Sequence, residues 1–177
     1  MNYGVYFKKA SLKSYFSLQF IVAVGLFAIG LFEGALSVID LFLYGAPFLT
    51  FAIFYVLRLY YPMALPYFSI LLVTFLLDVF FTSLHSSHSF AILISLLITS
   101  RLLPFPDQKE FLEIWQGFAV AMVLVILLQS VIFMITTWSL PHLQGLLFQF
   151  GMTLLLYPFI HVVVVRLAQI LVEMSER

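Results

Sequence analysis

The sequence predicts an all-α membrane protein, a polytopic bundle of about six transmembrane helices with no soluble domain. Three observations carry this. Of 177 residues, 64% are hydrophobic and only 9% are charged, with a mean hydropathy of +1.15. A water-soluble domain of this size needs more charge to cover its surface. The apolar residues run in blocks of about 17 to 25, the length at which a helix crosses a hydrocarbon core of roughly 30 Å. The ten-residue alternation of polar and apolar positions that marks a membrane β-strand does not occur, so backbone polar groups must be satisfied within helices.

The first span is expected at 15–32. Lys8, Lys9 and Lys13 precede it, but its apolar stretch is long for a signal sequence and no small-residue cleavage site follows, so it reads as an uncleaved span. Glu33, Gly34 and Asp40 mark the connection to a second span at 41–60. Asp40 is placed to cap that helix. Gly45 and Pro47 would kink it or delay its start to Pro47. Arg58 is long enough to snorkel near its end, which Tyr60-Tyr61-Pro62 defines. The third span, 66–84, opens at Pro66, and His85-Ser86-Ser87-His88 leads to a fourth at 89–103.

Pro104-Phe105-Pro106 breaks the chain again. Asp107 and Glu110 have capping-box spacing, which predicts a fifth helix starting near Gln108 with its span at 111–136. Trp115 and Trp138 stand 23 positions apart on it. That is about 34 Å of helix, close to the distance between the two interfacial aromatic belts. A sixth span at 145–170 follows Pro141 and His142.

Basic residues set the orientation. All 8 Lys and Arg fall on one side of this six-span arrangement: Lys8, Lys9 and Lys13 before span 1, Arg58 between spans 2 and 3, Arg101 and Lys109 between spans 4 and 5, and Arg166 and Arg177 at the far end. Both termini are therefore expected in the cytoplasm.

Composition also narrows function. There is no cysteine, so thiolate chemistry and disulfides are excluded. Net charge is zero, and no basic face suggests nucleic acid. No hydrolase elbow, zincin or phosphate-loop motif occurs, so no enzyme is expected. His85 and His88 lack a third ligand for zinc. Neither cofactor nor metal is expected.

Asp78, inside span 3, is the main candidate for a special role, because an intramembrane carboxylate is costly and normally faces protein or water. It reads as a proton or cation site, as a contact to a partner's helix, or as a structural carboxylate satisfied by neighbours such as Thr74 and Thr82. By helix rise, Asp78 lies about 9 Å below the outer end of its span, Gln129 about 10 Å, and Gln149 and Thr153 about 6 and 12 Å. These four could form one buried network. Gly145, Gln149, Thr153, Tyr157 and His161 recur at four-residue steps, a slanting ridge that suits helix packing more than a transport path. Within it Pro158 has no N–H and frees the carbonyl of Leu154. His161 is expected to be hydrogen-bonded. Gly30 and Gly34 form a G-x-x-x-G at the edge of span 1, a signal for homo-oligomerisation.

The pattern resembles the rod shape-determining protein MreD family over nearly the whole chain. The residues concerned are Leu76-Leu77-Asp78-Val79-Phe80-Phe81 with the connection Thr82 to His88, Trp115-Gln116 and Gln129 in helix 5, and Tyr157-Pro158 before Arg166. Family members usually carry glycine after the aspartate, where this chain has Ser83, Ser86 and Ser87. The resemblance implies a non-enzymatic component of the bacterial inner membrane that binds an MreC-like protein and cell-wall synthesis proteins and helps maintain rod shape. The runner-up class is the substrate-binding membrane subunit of an energy-coupling-factor vitamin transporter.

Overall fold

A computed structural model of the chain describes residues 12–36, 46–62, 65–80, 88–102 and 110–175. These residues form six α-helices and no strand: α1 (Leu12–Leu36), α2 (Leu49–Tyr60), α3 (Tyr67–Phe80), α4 (His88–Leu102), α5 (Phe111–Thr137) and α6 (Leu143–Ser175). Three are long and apolar enough to cross a membrane, over Ser17–Leu36, Phe111–Thr137 and Leu143–Ile170. The other three are shorter than a span; the 12 residues of α2, for example, cover roughly 18 Å.

Two helix starts differ from expectation. The second helix begins at Leu49, not 41, and residues 46–48 are non-helical. Pro47 explains this, because it has no N–H to give a helix and biases Ala46 toward extended backbone. Asp40, the expected cap, lies outside the described residues. The fifth helix begins at Phe111 rather than near Gln108. Glu110 is its N-cap, with extended backbone (φ −67°, ψ 150°) and no side-chain cap bond, so the capping-box reading of Glu110 does not hold. Asp107 lies outside the described residues.

Neighbouring contacts define the directions of the helices. Tyr55 and Tyr60 of α2 meet Tyr157 and His161 of α6 in the same order, so these two helices run parallel. Gly30 and Phe27 of α1 meet Leu77 and Phe80 of α3, and Thr50 at the start of α2 meets Glu33 near the end of α1, so α1 and α2 are antiparallel. Phe111 at the start of α5 meets His161 late in α6, and Trp115 meets Leu154, so α5 and α6 are antiparallel. Tyr67 at the start of α3 meets Ser100 at the end of α4. The main interfaces are α2 with α6, α4 with α5, α3 with α4 and α1 with α3.

The core is centred on α2. Seven of its twelve residues are buried, including Phe51, Phe54, Tyr55 and Val56. In hydrocarbon, apolar burial alone gives helices little reason to associate, and close packing and hydrogen bonds take over. Phe118 of α5 stacks on Tyr157 of α6 with centroids 4.0 Å apart and rings 14° from parallel. Tyr55 of α2 meets Phe118 edge-on at 5.4 Å. Gly30 is buried against Leu77, where an added Cβ would collide with the leucine side chain. The Gly30 half of the G-x-x-x-G signal is thus used within the chain, to bring α1 close to α3.

Candidate functional site

A cluster of polar contacts lies where the chain enters α2. Ala46, Pro47 and Phe48 are all buried, so their backbone groups must find partners in the protein. Gln149 of α6 donates through Nε2 to the Ala46 carbonyl at 2.7 Å. Thr153, one turn on, accepts the Phe48 N–H at 2.9 Å and donates its hydroxyl to the Gln149 carbonyl at 2.6 Å. The Leu49 N–H turns back to the Pro47 carbonyl at 2.9 Å.

Phe48, the N-cap of α2, has no side chain able to cap. Glu33 of α1 does that work from a neighbouring helix: its Oε2 accepts the Thr50 N–H at 2.8 Å. A carboxylate at a helix N-terminus also opposes the positive end of the helix dipole. Glu33 reads as loop from its sequence position, but it continues the inward stripe of α1. Leu18, Leu26 and Gly30 are buried on that stripe, and Glu33 follows three residues later, half-buried. Extending the helical period past the apolar block is the signal that finds it.

The ridge on α6 is therefore the seam that holds α2. Below Gln149 and Thr153, Tyr157 is fully buried and His161 half-buried. The His161 ring lies between two hydroxyls at long range, Tyr157 to Nδ1 and Tyr60 to Nε2, both 3.4 Å. In a neutral imidazole one nitrogen donates and the other accepts. Pro158 sits inside a helix that continues through it. The Leu154 carbonyl that it leaves unpaired accepts the indole N–H of Trp115 at 3.2 Å. Trp115 is accordingly half-buried against α6 and not only an interfacial marker.

At the opposite end of α2, Arg58 donates through Nη1 to the Pro62 carbonyl at 3.0 Å and lies 4.0 Å above the Tyr67 ring. It folds back over the α2–α3 connection. The Tyr67 hydroxyl pairs with Ser100 of α4 at 2.8 Å. Ser95 of α4 donates to the Ala121 carbonyl of α5 at 2.7 Å.

Of the four residues expected to share one network, the structure joins Gln149 and Thr153 only. Gln129 is buried on α5, and its amide nitrogen has no hydrogen-bond partner among the described residues. It therefore does not donate to Asp78. Asp78 is half-buried late in α3, a helix that packs chiefly on α1 and α4, whereas α5 packs on α4 and α6. Equal depth did not bring the two residues together because depth leaves the azimuth of each helix undefined. Thr74 is buried one turn before Asp78, but its hydroxyl turns back to the Ile70 carbonyl at 2.8 Å. Thr82, His85 and the His88 side chain lie outside the described residues. Among the described residues no group of three or more metal-binding side chains occurs.

The comparisons with known proteins add no name: no family model, curated protein or solved structure matches the chain.

Proposed function

We propose that the protein crosses the bacterial cytoplasmic membrane six times, with both termini inside, and serves the cell-elongation machinery as a non-enzymatic partner of an MreC-like protein and of the peptidoglycan synthesis complex. The observation that carries this reading is how its internal polar groups are used. Glu33, Gln149, Thr153 and Trp115 each bind backbone at a junction between helices. They fix the shape of the bundle, while large apolar side chains cover its outside, Phe68, Leu127 and Leu155 among them. Such a protein acts through the shaped surface it presents to other membrane proteins.

The short α2 is preceded by non-helical backbone: residues 46–48 lead into it through a tight turn at Phe48 (φ −75°, ψ 67°), where the Leu49 N–H meets the Pro47 carbonyl. Non-helical backbone within a membrane is tolerated where protein buries it and satisfies its polar groups, as Gln149 and Thr153 do here. The alternating helix directions also bring Arg58, Arg101 and the start of α5 to the same end of the bundle, in keeping with the eight-residue basic asymmetry.

The test has two parts. Cysteines placed at Ser87 and Pro141 should react with a membrane-impermeant reagent from outside, and one near Tyr61 should not; labelling of Ser87 only from the cytoplasm sinks the six-span arrangement. Purification in mild detergent should then recover an MreC-like protein, and depletion should round rod-shaped cells. Tight binding of thiamine, riboflavin or biotin by the purified chain would favour a vitamin transporter subunit instead.

A further inference from the structure

α1 and α6 flank α2 but touch each other little. Between them lies a cavity of about 640 Å³ that opens sideways. One wall is α1 from Leu18 to Phe32, the other is α6 from Leu156 to Ala168, and the floor is α2 from Leu49 to Tyr61. Among the described side chains that line it, only Tyr61 carries a polar atom. The walls run along the helices for roughly 18 to 21 Å. These features define an apolar slot that runs along α1 and α6, two of the helices long and apolar enough to cross a membrane.

The dimensions decide what fills it. Spread over that length, about 640 Å³ gives a slot roughly 6 to 7 Å across. A helix with its side chains is about 10 to 12 Å across and would rest over the mouth without filling the slot. A hydrocarbon chain is roughly 4 to 5 Å wide at carbon contact distances and enters freely. Extended, it advances about 1.25 Å per carbon for C–C bonds near 1.5 Å, so the slot takes about 14 to 17 carbons. The structure also leaves space at a defined point of the wall: a Cβ built on Gly25 of α1 meets nothing within 4 Å.

We propose that this groove holds one acyl chain of a membrane phospholipid as a resident ligand, wedged between α1 and α6 over α2. The hydrocarbon supplies the packing that the two outer helices do not supply to each other. No hydrogen bond is required of it, which suits a lining that offers almost none.

Gly25 provides the test, because it lines the groove, a Cβ there meets nothing within 4 Å, and any residue other than proline is a better helix former. The full chain would be reconstituted into vesicles of phosphatidylethanolamine and phosphatidylglycerol, extracted in mild detergent and weighed by native mass spectrometry. Wild type should carry one phospholipid through the extraction. In Gly25→Trp the retained fraction should fall severalfold, because the indole occupies space that the acyl chain needs. Gly25→Ala should behave as wild type, and helical content and melting temperature report that each variant folds. Should the tryptophan prevent folding, Gly25→Leu is the smaller plug and should show the same loss in part. Wild type without retained phospholipid, or equal retention in a folded Gly25→Trp, overturns the proposal. So does recovery from cell membranes of a polyprenyl phosphate or a single-span protein, in place of phospholipid, that the same substitution releases.

Discussion

The indole N–H of Trp115 on α5 is bonded to the carbonyl of Leu154 on α6, 3.2 Å away. Within α6 that carbonyl would be paired with the N–H of residue 158, which is proline. A polar group that would otherwise stand bare in an apolar interior thus becomes the link between two long helices, beside the Phe118–Tyr157 stack.

Trp115→Phe should therefore destabilise the protein by about 0.6 to 1.7 kcal/mol, the range of interhelical hydrogen bonds in membrane proteins. Pro158→Ala restores an N–H to α6. In that background the same Trp115→Phe change should cost less, with a coupling of at least about 0.5 kcal/mol in a double-mutant cycle read from unfolding in mixed micelles. Equal cost in both backgrounds would mean that Trp115 matters only for its bulk.

Glu33 acts on α2 as an acceptor for the Thr50 N–H. Glu33→Gln keeps a carbonyl oxygen at that position and should keep most of the stability. Glu33→Leu removes the acceptor and should cost about 1 to 2 kcal/mol, the size of a lost N-cap. Hydrogen exchange at Thr50 provides the local readout: the amide should exchange faster in the leucine variant and near the wild-type rate in the glutamine variant. Fast exchange in both would show that the negative charge, and not the hydrogen bond alone, holds the helix start.

Asp78 is half-buried at the edge of the α3 stripe formed by Ile70, Val73, Thr74 and Leu77. A structural carboxyl there predicts that Asp78→Asn is tolerated, since the amide keeps the shape and most of the hydrogen bonding, and that Asp78→Leu is not. On the proposed role in cell elongation, cell shape and protein level in cells relying on each variant distinguish the two possibilities. Loss of rod shape with both, at normal protein levels, would mean that the charge itself is needed.

The sequence by itself determined that the chain is helical and carries segments apolar enough to cross a membrane, and it placed the six helices approximately, three of them long enough to cross. Charge this scarce and apolar runs this long leave a hydrated surface unsupported, and proline clusters such as Pro104 and Pro106 interrupt the runs whatever surrounds them. The i+4 ridge on α6 was legible as a packing face for the same reason, since helical period is a local property. Tertiary structure alone decided which polar residues meet. Whether Gln149 and Thr153 reach Ala46 and Phe48 or Asp78 depends on the rotation of each helix and the order of its neighbours, and neither is written in depth or spacing. The start of α2 depended on it too: the Phe48 and Thr50 N–H groups find acceptors on α6 and α1, from residues 105 and 17 positions away in the chain. Backbone that leaves a helix inside a membrane is stable only where distant side chains replace the lost bonds, and only the folded bundle supplies them.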